Sequence, residues 1–217
     1  MQTQSFSISK PSEINTVLRN TYLLLGMTTL FSGIMASVSV AFNLPFLAGL
    51  VCSLIALGLL FVINKTANSP SAIVWTFLFT GLLGLSLGPL LNYALAMSNG
   101  GSMVMQALGG TALVFFGLSA YVLLTKKDFS FIGGFLMIGL LVAIVAMVAN
   151  IFFQIPALHL AINAAIVFIM SGFILYDTSR IVNGGERNYV LATVSIYLNL
   201  HNLFSSMLQL IMAFNDD

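Results

Sequence analysis

The 217-residue sequence contains very little charge: only 6% of its residues are Asp, Glu, Lys or Arg. A water-soluble domain carries about 25% charged residues, so the low content excludes a protein whose whole surface faces water. The net charge is +1 and the basic residues form no patch that would bind nucleic acid. A single cysteine, Cys52, excludes an intramolecular disulfide.

Motifs for catalysis are also missing. The sequence has no G-x-S-x-G, no phosphate-binding glycine loop, and no group of Cys or His residues at metal-ligand spacing. An intramembrane protease would need paired aspartates or a Ser/His pair on facing helices, whereas Asp177 stands alone as the only carboxylate within an apolar run. We therefore expect a protein that is not an enzyme and that uses no cofactor.

Apolar residues, by contrast, make up 59% of the chain and fall into seven long runs. A helix that spans a bilayer needs about 20 such residues. The runs cover residues 22–42, 45–63, 73–97, 103–124, 131–152, 158–181 and 190–213. They predict an all-α, polytopic membrane protein with seven transmembrane helices. Residues 1–20 then form an N-terminal tail with the start of a helix, 21–214 the membrane domain, and 215–217 a short C-terminal tail.

The basic residues lie on one side of this predicted bundle. All seven basic residues fall in alternate connections of the chain. These are the segments before the first run, between the second and third, between the fourth and fifth, and around the junction of the sixth and seventh. They contain Lys10, Arg19, Lys65, Lys126, Lys127, Arg180 and Arg187. The other connections and the C-terminal tail contain none. Because Lys and Arg are retained in the cytosol, we predict a cytoplasmic N-terminus and a C-terminus on the opposite face.

The third run contains small residues and a helix breaker. Gly84 and Gly88 are four residues apart, a spacing that lets two membrane helices approach closely. Pro89 removes a backbone hydrogen bond and predicts a kink or break near Ser86. A carbonyl group freed in this way must find a partner inside the protein, since lipid offers none.

Asp177, in the sixth run, is the strongest candidate for a functional residue, because acidic groups inside a membrane are costly and usually face a functional interior. Arg180 follows one helical turn later, so an ion pair that anchors the helix end is an alternative. His159 and Asn163 lie on the same side of this helix, although His159 is near the external end and an interfacial position would explain it equally.

The seventh run has a polar stripe: Asn199, Asn202, Ser206 and Gln209 are spaced by three, four and three residues, which places them on one helix face. We expect His201 next to this stripe. The stripe predicts either hydrogen bonds between helices or a narrow polar pathway facing the sixth helix. The candidate pH-sensing and ion-pathway residues are Asp177, Asn199, Asn202, Arg180, His159, Asn163 and His201.

Several segments resemble the Bax inhibitor/YccA family, also called TMBIM. They are residues 107–116, 119–123, 147–152, 156–162 and 176–179, and residues 17–22, 184–189 and 192–202 are similar to its bacterial branch in particular. The resemblance covers nearly the whole chain. It implies a seven-helix bundle in which the seventh helix is surrounded by the other six.

The family resemblance also implies two functions. Some members are pH-sensitive calcium leaks whose sensor is a pair of aspartates on the sixth and seventh helices. Asp177 matches the first aspartate, but Asn199 stands in place of the second, within Tyr197-Leu198-Asn199-Leu200-His201-Asn202-Leu203-Phe204. An amide cannot share a proton with Asp177 as a second carboxylate does, and it adds no charge for a divalent cation. A calcium or proton leak is therefore the weaker expectation.

The bacterial branch implies a client and modulator of FtsH, the ATP-dependent membrane protease of the bacterial inner membrane. Such a protease needs a handle, meaning an unfolded cytosolic segment that it can grip. The polar tail of residues 1–10, which begins Met1, Gln2, Thr3, Gln4, Ser5, is the predicted handle. The expected partners are thus the lipid bilayer and an FtsH-type protease, and a purely structural assembly partner remains a third possibility.

Overall fold

A computed structural model describes residues 11–215 of the protein. Over that range the chain forms helices joined by short connections. The α-helices are α1 (Pro11–Ala41), α2 (Phe46–Thr66), α3 (Ser71–Ser86), α4 (Gly88–Leu95), α5 (Gly100–Thr125), α6 (Gly133–Phe153), α7 (Pro156–Val182) and α8 (Tyr189–Phe214), with a 3-10 turn at Ser130–Ile132. The predicted handle and residues 216–217 lie outside the described residues.

Six segments of the described chain are long and apolar enough to cross a membrane: Ser12–Ala41, Phe46–Thr66, Ser71–Leu95, Gly100–Thr125, Ser130–Phe153 and Pro156–Val182. The third of these combines α3 and α4. Helix α8 has the required length, with 26 residues, but its polar side chains, including Asn199, His201 and Asn202, lower its mean hydropathy. The all-helical prediction is confirmed, with six candidate spans rather than seven by this criterion.

The position of α8 in the bundle explains its polar composition. Twelve of its 26 residues are buried, compared with three of 21 in α2 and two of 21 in α6. It packs against α1, α3, α4, α5 and α7, whereas α2 packs mainly on α3 and α6 mainly on α7. Helices α2 and α6 therefore lie outside the group that contacts α8, which differs from the implied ring of six. A helix enclosed by others does not need an apolar surface on every side.

The predicted break in the third run is present, and it has a specific partner. Helix α3 ends at Ser86 and α4 begins at Gly88. Pro89 cannot donate to the carbonyl group four residues before it, which belongs to Leu85. Ser39 Oγ, from the buried side of α1, donates to Leu85 O at 2.7 Å. One hydroxyl group of α1 thus satisfies the carbonyl that the proline leaves free.

The predicted close helix approach is also present, between α3–α4 and α1. A Cβ atom on Gly84 would collide with the backbone oxygen of Ser32, and one on Gly88 would collide with the side chain of Ser39. Only glycine leaves room for α1 at these two positions. The small-residue pair therefore brings α1 close enough for Ser39 to reach the broken helix.

The connections that carry basic residues meet at one end of the bundle. Asn188, just before α8, donates from Nδ2 to Ala67 O at 2.9 Å and to Asn68 Oδ1 at 3.0 Å in the α2–α3 connection. The backbone N–H of Phe129, between α5 and α6, donates to Ser179 Oγ near the end of α7 at 2.8 Å. These contacts place Lys65, Lys126, Lys127, Arg180 and Arg187 at the same end.

Replacing Ser39 with Ala should destabilise the protein by about 1–3 kcal/mol, because the Leu85 carbonyl group, which lies within a membrane span, would lose its hydroxyl donor. Thermal unfolding in detergent measures the effect. Ser37→Ala is the matched control on the same helix, since Ser37 is exposed and donates only to Gly33 O of its own turn. Equal melting temperatures for the two variants would contradict the role assigned to Ser39.

Candidate functional site: a buried carboxylate between α7 and α8

Asp177 lies in α7, five residues before the helix ends at Val182, and is only 6% exposed. Its Oδ2 atom accepts two hydrogen bonds from α8, one from Ser195 Oγ at 2.7 Å and one from Asn199 Nδ2 at 2.7 Å. Ser195 and Asn199 are four residues apart and therefore share one face of α8. The carboxyl group joins the two helices through a pair of short hydrogen bonds.

Arg180 does not form its ion pair with this carboxyl group. Among the described residues its salt bridge is with Glu186, at 3.4 Å between Nη2 and Oε2, and its guanidinium lies 5.6 Å from the centre of the Tyr176 ring. Of the two arrangements that the sequence leaves open for Asp177, the structure contains the buried one, hydrogen-bonded to α8.

His159 and Asn163 form a separate polar contact at the other end of α7. Asn163 is buried, and its Nδ2 lies 3.1 Å from His159 Nε2 and donates to His159 O at 3.1 Å. Asn163 and Asp177 are fourteen residues apart, which is about 21 Å along a helix. The buried apolar residues Met170 and Ile174 lie between them. The structure therefore does not bring this pair together with Asp177.

The polar residues of the predicted stripe on α8 also have separate hydrogen-bond partners. Asn202 Nδ2 donates to Leu198 O at 2.9 Å, and Gln209 Nε2 donates to Ser205 O at 3.1 Å, so both side-chain amides bond to their own helix. His201, which we expected next to the stripe, lies two residues from Asn199 and lines a cavity against α1 and α5. Two residues along a helix correspond to a rotation of about 200°, which points the two side chains away from each other.

Sequence reasoning missed Ser195, the second donor to Asp177. Its position one turn before Asn199 is a signal that could have identified it. It also missed Tyr197, whose hydroxyl group contacts Ser32 Oγ and donates to Thr80 O at 3.2 Å, joining α8 to α1 and α3. No spacing in the sequence connects these three residues, because each lies on a different helix.

The connection between α5 and α6 is attached close to the Asp177 site. Ser179, two residues after Asp177, accepts from the N–H of Phe129 and donates to Asp128 Oδ1 at 3.4 Å. Hydrogen bonds from the side chain and the backbone N–H of Ser130 hold the pKa of Asp128 below its usual range. Asp128 is therefore negatively charged at neutral pH, where it accepts the hydrogen bond from Ser179.

The chemistry of the site follows from these contacts. It contains one carboxyl group, one amide and one hydroxyl group, and within residues 11–215 no three His, Cys, Asp or Glu side chains come together as metal ligands. Adding a proton to Asp177 would remove the charge that strengthens its hydrogen bonds to Ser195 and Asn199. The protonation state of Asp177 is thus coupled to the packing of α7 on α8.

Six apolar candidate spans arranged with an enclosed polar helix, and a buried carboxyl group at the interface of α7 and α8, define a multi-pass α-helical membrane protein. A family model described as inhibitor of apoptosis-promoting Bax1 matches residues 14–216. The chain belongs to this family, the Bax inhibitor family.

Individual relatives cover nearly the whole chain. A protein of Escherichia coli K12 named modulator of FtsH protease YccA is 54% identical over 196 residues, which is 90% of this chain and 89% of the relative. A protein of Escherichia coli O6:H1 named inner membrane protein YccA gives the same values. A membrane protein of Vibrio cholerae is 49% identical over 218 residues, covering 100% of this chain and 98% of the relative.

Replacing Asn199 with Ala should destabilise the protein by about 1–3 kcal/mol, because the buried Asp177 would keep only one of its two donors. Asn202→Ala is the matched control, since Asn202 lies on the same helix and its side-chain amide donates to Leu198 O of the preceding turn. A double-mutant cycle with Asp177→Asn, measured by thermal unfolding, should give a coupling of at least about 0.5 kcal/mol. Additive effects of the two substitutions would contradict the contact.

Proposed function

We propose that this chain is a non-enzymatic protein of the bacterial inner membrane that binds an FtsH-type membrane protease and modulates membrane-protein quality control. The observation that carries the proposal is the 54% identity, over 90% of the chain, to a protein named as a modulator of FtsH protease. The relative named as an inner membrane protein supports the location.

The proposal includes a topology of seven spans, with α8 as the seventh. At about 1.5 Å per residue, the 26 residues of α8 extend about 39 Å, more than the roughly 30 Å core of a bilayer. An odd number of spans places the termini on opposite faces. The common end of the basic connections supports a cytosolic N-terminus and a periplasmic C-terminus. The tail experiment below tests this orientation as well, because an external tail could not reach a cytosolic protease.

The protease would act on the handle, residues 1–10, and then on α1, which follows it directly. Several contacts hold α1 in the bundle. Tyr197 contacts Ser32 and Ser39 donates to Leu85 O, while Thr193 Oγ1, which donates to Tyr189 O of its own helix at 2.7 Å, also lies 3.3 Å from Thr21 O. Removing α1 would expose all of these groups to lipid, where each lost partner is costly. A client that is gripped readily but extracted slowly would occupy the protease and reduce its activity on other membrane proteins.

Deleting residues 2–10 should leave the membrane domain inserted and lengthen its half-life in cells that contain an active FtsH-type protease, because the protease loses its point of attachment. Pulse-chase of the full chain and of the deletion variant measures the half-life, and membrane fractionation confirms insertion.

Two controls sharpen this experiment. In cells with an inactive protease the two proteins should have the same half-life. A Gly/Ser segment of equal length in place of residues 2–10 should restore degradation, since the protease needs only a flexible segment to grip and Gly/Ser segments are flexible. Unchanged turnover of the deletion variant, or an inserted protein whose tail is labelled from outside, would refute the proposal.

A second candidate function is a pH-sensitive cation leak, for calcium or protons. The observation that favours it is the buried Asp177 at the interface of α7 and α8, where Asn199 Nδ2 lies 2.7 Å from the carboxyl group. In the family pattern an aspartate occupies the position of Asn199. Two carboxyl groups at this distance share a proton and titrate as a coupled pair. With the amide in place, Asp177 would be the sole acidic group of the pathway.

Asn199→Asp should therefore create or increase a calcium flux that changes between about pH 5 and pH 8 in proteoliposomes, measured with an entrapped calcium dye. Asp177→Asn should remove any pH-dependent flux from both backgrounds. Asn202→Asp is the matched control, because Asn202 does not contact Asp177. The leak would be excluded by the absence of flux from the wild type and from Asn199→Asp at every pH.

A further inference from the structure

A lateral groove runs along the bundle between α1 and α5. The two helices touch where the rings of Tyr22 and Phe115 lie 5.8 Å apart, and beyond this contact they enclose a cavity of about 610 Å³. Its floor is α8, with Tyr197, His201 and Phe204, and its far end is α4. Leu30 and Phe116 on its rims are 73% and 65% exposed, so the groove opens sideways to the lipid.

The α1 side of the groove is lined by small residues. Thr29, Gly33 and Ser37 are spaced by four and share one helix face, with Gly26 near the same line. Among the described residues, nothing lies within 4 Å of a Cβ atom built on Gly26 or Gly33. On its other side α1 uses close contact with glycines to pack against α3 and α4. The side of α1 that faces the groove also presents small residues, but no described helix packs against it.

Polar atoms deep in this region lack partners. Among the residues that the structure describes, His201 Nδ1 and the Tyr22 hydroxyl group are buried and make no hydrogen bond. His201 is the thirteenth of the 26 residues of α8, so it lies about 18 Å along the helix from the start. Lipid headgroups lie at the two surfaces of a roughly 30 Å core and do not reach the helix midpoint. Acyl chains reach it but carry no hydrogen-bonding group.

The length of the groove also argues against a lipid as its occupant. From Tyr22 to Ser37 it follows α1 for fifteen residues, about 22 Å, whereas the chains of one leaflet fill only about half of the bilayer core. A transmembrane helix extends through both leaflets. The backbone of such a helix can lie on the small residues of α1 while the side chains on one of its faces fill the cavity. The cavity volume is far too small to enclose a whole helix, so the rest of the helix would remain outside the groove.

We propose that the α1–α5 groove binds one transmembrane helix of a partner protein, and that this helix places a hydrogen-bonding side chain at its midpoint against His201. The side chain would be that of Asn, Gln, Ser or Thr, which accept or donate without a buried charge. This inference goes beyond the proposed action on a protease, because the groove recognises the helix whichever protein supplies it.

The test uses synthetic helices as the partner. A Leu/Ala peptide of about 22 residues with one central Asn, and the same peptide with a central Leu, are labelled with an acceptor dye and added to proteoliposomes of the donor-labelled full chain. Energy transfer should show the Asn peptide binding about threefold to tenfold more tightly than the Leu peptide. His201→Leu should remove this difference, whereas His159→Leu, which changes the histidine at the end of α7, should not.

Gly33→Leu should block both peptides by filling the groove. Gly58→Leu is its matched control, because Gly58 of α2 is also exposed with open space at its Cβ position. Equal binding by these two glycine variants would overturn the proposal. Self-association of the wild type that Gly33→Leu abolishes would also overturn the proposal, because it would assign the groove to a second copy of this chain. Displacement of both peptides by free oleate, with or without the central Asn, would overturn it as well, because it would assign the groove to an acyl chain. Tail-dependent degradation is measured separately and is unaffected by any of these outcomes.

Discussion

The structure depends on one constraint: inside a membrane, a polar group must find its partner within the protein. Pro89 frees the Leu85 carbonyl group, and Ser39 of α1 satisfies it at 2.7 Å. Ser39 can do so only because Gly84 and Gly88 let α1 approach. The same constraint places α8, which carries more side-chain amides than any other described helix, among five other helices, while the strongly apolar α2 and α6 pack outside them. Polarity thus decides which helix is enclosed.

The same constraint explains the hydrogen bonds of the Asp177 site. A carboxyl group at the α7–α8 interface needs donors, and Ser195 and Asn199 supply them. An aspartate at position 199 would instead need a shared proton to avoid the repulsion of two charges. The amide removes that requirement and leaves a contact whose strength depends on a single proton. The chain thus has a polar α7–α8 interface in which one carboxyl group is held by a hydroxyl group and an amide.

Much of the fold could be predicted because helix length, breaks and face periodicity are local properties of the sequence. The helices, the break before Pro89 and the close approach at Gly84 and Gly88 all follow from residues within a few turns. The partners across helices could not be predicted, because they depend on how each helix is rotated against its neighbours. Ser39 with Leu85, and Ser32 with Tyr197, are of this kind. The stripe of His159, Asn163 and Asp177 shares a helix face but is interrupted by buried apolar residues.

The rotation of α8 separates two sets of polar residues that the sequence interleaves. Ser195 and Asn199 face α7, while Thr193, Tyr197 and His201, also spaced by four, face α1 and the groove beside it. The two sets differ by two positions, about 200° around the helix. A force applied to α1 would therefore act on one face of α8, and a proton on Asp177 would act on the other. Under the proposed function, extraction of α1 and protonation of Asp177 would therefore act on the same helix from opposite sides, although no residue takes part in both.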